Sequence, residues 1–250
     1  MKRKTFERYM GIIFVSLSIM TFTAVCTLIE YFLLPHHQTI KTLSQKEPET
    51  FTLIIDPGHG GMDSGAVGNI LGLLEKDVNL EISKILYDLF KLTDIPVIMT
   101  RTEDVLLSTE GESVSKKTAD LKGRVDIAQK AENPVFVSIH QNKFSLEKYK
   151  GLQVYYSKNN PDSQALAEII QNKTAQFLQK DNKRQTKPAG RNIYVMHKLD
   201  CPAVLVECGF LSNYEEEKLL NTGEYRKKLA FVIFSCIMDY YNEVQKSNTL

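Results

Sequence analysis

The first apolar run in this chain, Met10 to Ile29, is twenty residues long and carries no charge. At 1.5 Å of rise per residue it would span about 30 Å, the depth of a bilayer core. Lys2, Arg3, Lys4 and Arg8 precede it. Positive charge on that side keeps the N-terminus in the cytoplasm and sends the rest of the chain across. Residues 1–34 are therefore expected to form a short tail and a transmembrane anchor. A cleaved signal peptide is the alternative, although its apolar region is usually shorter and no clear Ala-x-Ala site follows. Residues 35–50 are polar with two prolines, Pro35 and Pro48, and read as a tether. His36 and His37 lie in it, where a mobile backbone preorganises no ligands.

From residue 51 to 250 the pattern alternates between short apolar runs and stretches of helical period. Strands are expected at Phe51–Asp56, Pro96–Thr100, Val135–His140, Leu152–Tyr156, Asn192–Met196 and Ala203–Glu207. Helices are expected at Leu74–Leu92, where Val78, Ile82, Ile85, Leu86 and Leu89 share a face, and at Thr118–Ala131, Asp162–Gln179 and Glu224–Val244. The second, third and sixth strands are continuously apolar, as strands covered on both faces are. Strands alternating with helices give an α/β domain with a largely parallel, twisted sheet of about six strands. The apolar run of the last helix, Leu229 to Met238, is too short to cross a bilayer and reads as core.

Composition adds limits. With 31 basic and 30 acidic residues the net charge is +1, which gives no reason to expect nucleic acid as a partner. Of the four cysteines, Cys201 and Cys208 bracket one strand, where an extended backbone holds them about 23 Å apart, beyond disulfide reach. No zinc-knuckle spacing occurs.

The chemistry gathers at strand ends. The first strand stops at Asp56-Pro57-Gly58, and His59 follows in a loop rich in glycine. The third strand ends at His140 and the sixth at Glu207. Glu75 opens the helix after the first loop. Polar residues at the carboxyl ends of parallel strands belong on one edge of the sheet. Two histidines and a carboxylate, with one position left open, make a catalytic Zn2+ set; a further glutamate could move protons. The loop is not a phosphate cradle, because no Gly-Lys-Ser/Thr follows it.

Several longer motifs join these residues: Ile54-Ile55-Asp56-Pro57-Gly58-His59-Gly60-Gly61, Asp63, Gly65-Ala66, Leu74-Glu75-Lys76-Asp77, Thr100-Arg101 with Asp104, Ser138-Ile139-His140-Gln141-Asn142, and the stretch from Pro202 to Asn213. Together, over roughly residues 51–243, they resemble the zinc-dependent N-acetylmuramoyl-L-alanine amidases, and most closely the spore-cortex branch of that family. The resemblance implies that His59, Glu75 and His140 hold zinc and that Glu207 is the catalytic glutamate. It implies hydrolysis of the amide between N-acetylmuramic acid and L-alanine in peptidoglycan. It also implies a role in forming muramic-δ-lactam in spore cortex, as germination requires. Gln141 and Lys143 depart from the family pattern, which has small residues there. Only eleven residues separate His140 from Leu152, so no long helical plug over the site is expected.

Other readings stay open. Arg101 could bind a peptide carboxylate or pair with Asp104. Asn142 could contact substrate or cap its loop. Asp63 is expected to fix the glycine loop or the His59 ring, Cys208 to face away from the site, and His197 to lie on the surface. The protein could instead be a degenerate binder of peptidoglycan, or another zinc hydrolase of the wall such as a deacetylase or carboxypeptidase. The expected location is membrane-anchored, with the domain facing the wall or the space between forespore membranes. A protein activator or a homodimer would leave no mark in one chain.

Overall fold

The first strand, β1 (Thr52–Pro57), runs between β2 (Val97–Met99) and β3 (Pro134–Asn142), parallel to both. In the computed structural model the described residues are Met10, 16–25, 50–107 and 115–248. Beyond β3 lies β6 (Ala203–Phe210), also parallel. Next to it β4 (Gln153–Tyr156) runs antiparallel, and β5 (Lys187–Pro188) closes the edge. The strand order is therefore β2-β1-β3-β6-β4-β5.

Strand alternation builds two cores from one sheet. Leu53 and Ile55 of β1, Val135, Val137 and Ile139 of β3, and Val204, Val206 and Cys208 of β6 enter one cluster. That cluster is covered by α1 (Glu75–Phe90), α3 (Asp162–Phe177) and α6 (Gly223–Asn248). Ile54, Phe136, Ala203 and Leu205 enter the other cluster. It is covered by α2 (Lys116–Lys130) and α4 (Tyr194–Lys198). Both faces of β1, β3 and β6 are thus buried, which is why their sequences are continuously apolar.

The same alternation decides where chemistry can lie. Asp56 follows Ile54 by two residues, Ser138 and His140 follow Phe136, and Glu207 follows Leu205. All four therefore belong to the α2/α4 face, at the carboxyl ends of their strands. Cys208 belongs to the opposite face and is fully buried.

Three expectations need correction. The second strand is a three-residue edge strand, and Ile98 is 40% exposed rather than covered. Asn192–Met196 is not a strand: Val195 and Met196 are consecutive and both buried in the α2/α4 cluster, which a helical turn permits and a strand forbids. The fifth strand is instead the short Lys187–Pro188. Finally, α5 (Tyr214–Leu220) was not expected. Its signal was present, because Asn213 caps it by accepting from the Glu216 N–H at 3.1 Å.

The chain divides into two units, Met1–Glu47 and Pro48–Leu250. In the first, 16–25 is helical. Of the expected membrane segment Met10–Ile29, Met10 and 16–25 are among the described residues; nearly all of the tether falls outside them. Among the described residues no helix is long and apolar enough to cross a membrane.

Candidate metal centre

A tight turn after β1 brings His59 out of the sheet with φ at 61°, a left-handed backbone rare for any residue but glycine. Arginine side chains hold this turn. Arg101, 3% exposed, donates from Nε to the Pro57 carbonyl at 2.9 Å and from Nη2 to those of Gly58 and Lys76, each at 2.9 Å. Its Nη1 reaches the Glu103 carbonyl at 3.0 Å. Arg124, 2% exposed, donates to the Pro57 carbonyl at 2.8 Å and to the His59 carbonyl at 2.7 Å.

Arg124 rests on a buried acidic pair. It meets Asp56 at 2.6 Å and Asp120 at 2.8 Å. Asp56 also accepts from Thr100 Oγ1 and Ser138 Oγ, each at 2.6 Å. Burial alone would raise the Asp56 carboxyl. The Arg124 charge and the two hydroxyls outweigh it and hold the group below the usual aspartate value.

On this base three side chains converge. Glu75 Oε1 lies 3.2 Å from His59 Nε2 and 2.9 Å from His140 Nδ1. The three ligand atoms are all within 4.8 Å of one another. The two imidazoles stand edge to face, centroids 5.0 Å apart. Glu75 is 4% exposed, and its Oε2 accepts from the Ala66 N–H at 2.7 Å. Burial would raise its carboxyl, but hydrogen bonds from His140 and His59 overcome that and hold it far below the normal range. Asp63 Oδ2 lies 3.0 Å from His59 Nδ1, so the ring is fixed from behind with Nε2 turned inward, as was expected of Asp63.

Two glycines make this packing possible. A side chain at Gly58 would collide with the His140 ring, and one at Gly65 would meet Glu75 Oε2 and His59. Gly65 also has φ at 65°.

Glu207 sits directly across the β3–β6 ladder from His140. Its Oε2 is buried without a hydrogen-bond partner in the structure. Burial is the main cause of its carboxyl being pushed up to about 7; the histidines pull it down and Glu75 pushes it up. His59, His140 and Glu207 line a cavity of about 450 Å³, together with Asn142, Tyr155 and Lys117. Neither Tyr155 nor Lys117 could be placed there from sequence, since each comes from a different element.

Other expected residues fall elsewhere. Arg101 is a clamp on the main chain, with four of its N–H donors on carbonyls, and it is not among the residues lining the cavity. Its alternative partner, Asp104, pairs with Lys76 at 2.6 Å and accepts from the Gly61 N–H at 2.7 Å. Lys143 donates to the Val67 carbonyl at 2.7 Å, bracing the loop before α1. His197 is exposed on α4. Residues 143–151 form turns and bends without a helix.

Compared with known proteins, residues 53–239 match the model of the Amidase_3 family, the N-acetylmuramoyl-L-alanine amidases. The chain belongs to this family. All four residues singled out above lie inside the matched span. Among the relatives of this amidase domain is the germination-specific N-acetylmuramoyl-L-alanine amidase of Bacillus subtilis (strain 168), 36% identical over 193 residues, 76% of this chain and 80% of that protein. Among solved structures, the CwlD amidase from Clostridioides difficile, in complex with the GerS lipoprotein, is 39% identical with a TM-score of 0.72, covering 76% of this chain and 98% of that one. The amidase AmiC2 of Nostoc punctiforme is 34% identical with a TM-score of 0.66, covering 76% and 96%.

Proposed function

We propose that this amidase cuts the bond between the lactyl carboxyl of N-acetylmuramic acid and the nitrogen of L-alanine, using zinc held by His59, Glu75 and His140. The donor set fits that ion: two imidazole nitrogens and one carboxylate oxygen, one protein ligand short of a closed tetrahedral site. When bound, zinc would acidify water and polarise the scissile carbonyl.

The chain's own residues carry the rest. Glu207, whose carboxyl sits near neutrality, is the base that takes the proton of the attacking water. It then returns the proton to the departing alanine nitrogen, so that the amine leaves neutral. Asp63 keeps the His59 ring oriented throughout. Asn142, which lines the cavity, would hydrogen-bond the glycan or the stem peptide.

The single observation behind this reading is the convergence of the three ligand atoms beside the unpartnered Glu207 oxygen. Its test is digestion of purified peptidoglycan with and without added zinc, read by mass spectrometry. Free stem peptides over intact glycan support it. Released acetate or D-alanine would assign a deacetylase or carboxypeptidase instead. Zinc-loaded protein that releases nothing would leave a binding protein.

The similarity to the germination-specific amidase and to CwlD supports a narrower role, in which peptide-stripped muramic acid becomes the precursor of muramic-δ-lactam in spore cortex. Spores lacking the activity should carry no lactam and fail to germinate. The lipoprotein complex of CwlD supports a protein partner for this domain as well. The charge-free run Met10–Ile29 behind four basic residues supports an anchored domain outside the cytoplasm. A chain starting at residue 35 should then leave the membrane fraction.

A further inference from the structure

Gln141 departs from the small residue that the family resemblance leads one to expect beside His140. It is also 2% exposed, and its Oε1 has no hydrogen-bond partner in the structure. A buried amide with an unsatisfied oxygen is a cost that an alanine would avoid. The other end of the amide shows what the residue does. Gln141 Nε2 donates to Asn79 Oδ1 at 3.2 Å. Asn79, fully buried on the second turn of α1, donates from Nδ2 to the Gly58 carbonyl at 3.2 Å and to Glu75 Oε1 at 3.4 Å. Glu75 Oε1 is the oxygen that faces both histidines, and the Gln141 N–H also reaches it, at 3.1 Å.

An asparagine amide can sit in either of two orientations. With Oδ1 turned toward Glu75 and Gly58 it would set an oxygen against two other acceptors. Gln141 reinforces the other orientation by donating to Oδ1, which keeps Nδ2 on the carboxylate and the Gly58 carbonyl. We infer that Gln141 is a positioning residue: acting through Asn79, it locks the Glu75 carboxylate in the orientation that presents Oε1 to the metal. Residues that orient a ligand from behind are worth about ten- to a hundredfold in metal affinity. This rests on the zinc reading above.

The test is a cycle of zinc dissociation constants measured on the whole 250-residue chain by competition with a chromophoric chelator. Gln141→Met keeps the volume and removes the donor; it should weaken zinc about tenfold and shift the visible spectrum of the Co2+-loaded protein. Asn79→Ala should weaken zinc at least as much. The double variant should match Asn79→Ala alone, because the Gln141 side chain works only through Asn79 while its main-chain N–H is kept in both variants. A Gln141→Met constant within about twofold of the parent, or losses that multiply in the double variant, would overturn the inference while leaving the zinc reading intact. A parent chain that binds no zinc would overturn both.

Discussion

Two polar clusters lie side by side at the carboxyl end of the sheet, and they are built to opposite rules. Beneath the first loop, Asp56, Arg124, Asp120, Thr100 and Ser138 are buried together, with the Asp56 carboxylate and the Arg124 guanidinium matched to several partners at once. Beside it, His59, His140 and Glu207 line the cavity, with Glu75 set between the two histidines, and one Glu207 oxygen is unmatched. Asp56 is held ionised by its neighbours, whereas Glu207 is pushed toward its neutral form by burial. The contrast separates scaffold from chemistry. A saturated cluster fixes a backbone, and an unsaturated one keeps capacity for what must enter.

Substitutions sharpen or break this division. The largest effect is expected at Glu207. Glu207→Gln should lower kcat by about 10²–10⁴-fold while zinc still binds. Its folding should respond in the opposite sense. The folded carboxyl is raised, so the native state keeps a proton that the unfolded chain has lost, and wild-type stability falls as pH rises toward 7. Metal-free Glu207→Gln should therefore be the more stable protein at pH 8, with the gap closing below about pH 4.5, as urea titrations would show. Unchanged turnover in that variant would remove Glu207 from the chemistry.

Arg124→Met should cost about 3–5 kcal/mol of stability, because two buried carboxylates lose their countercharge. Equal melting temperatures would show that the cluster is not a scaffold. Asp56→Asn should cost less, about 2 kcal/mol at pH 7. Because the folded carboxyl is depressed, the wild type's advantage should be complete above its ordinary value of 3.8 and shrink as pH falls below it. A pH-independent gap would contradict the ionised state. The smallest effect belongs to Arg101→Lys, about 1–2 kcal/mol from lost bonds to main-chain carbonyls. Its KM for peptidoglycan should stay within about twofold; a large rise in KM would give Arg101 a substrate contact beside its clamp.

The sequence made the site legible wherever a polar residue breaks an apolar run. The apolar run of β1 gives out just before His59, those of β3 and β6 are broken by His140 and Glu207 two and three residues before the strands end, and alternation then fixes which face each residue serves. What escaped depends on partners far along the chain. Arg101 looks like a ligand for carboxylates until the turn it clamps is seen. The loop before α1 is held by Glu217, fully buried, whose oxygens accept from Ile70 at 2.9 Å and Leu71 at 2.8 Å across 147 and 146 residues. No local pattern announces such a latch. Asn192–Met196 misled because its β-rich composition matches a strand, while two adjacent residues had to enter one core. The N-terminal run Met10–Ile29, the clearest hydropathy signal of all, lies only in part among the described residues.

The last strand of the chain occupies the middle of the sheet, between β3 and β4. A nascent chain that stops short of β6 leaves β3 and β4 each with an unpaired edge, open to association with other chains. The register that sets Glu207 against His140 forms only when the two strands zip across more than sixty intervening residues. Pairing at such separation makes folding slow, and hydrolytic power should arrive in one event, once β6 has been made and has zipped into place.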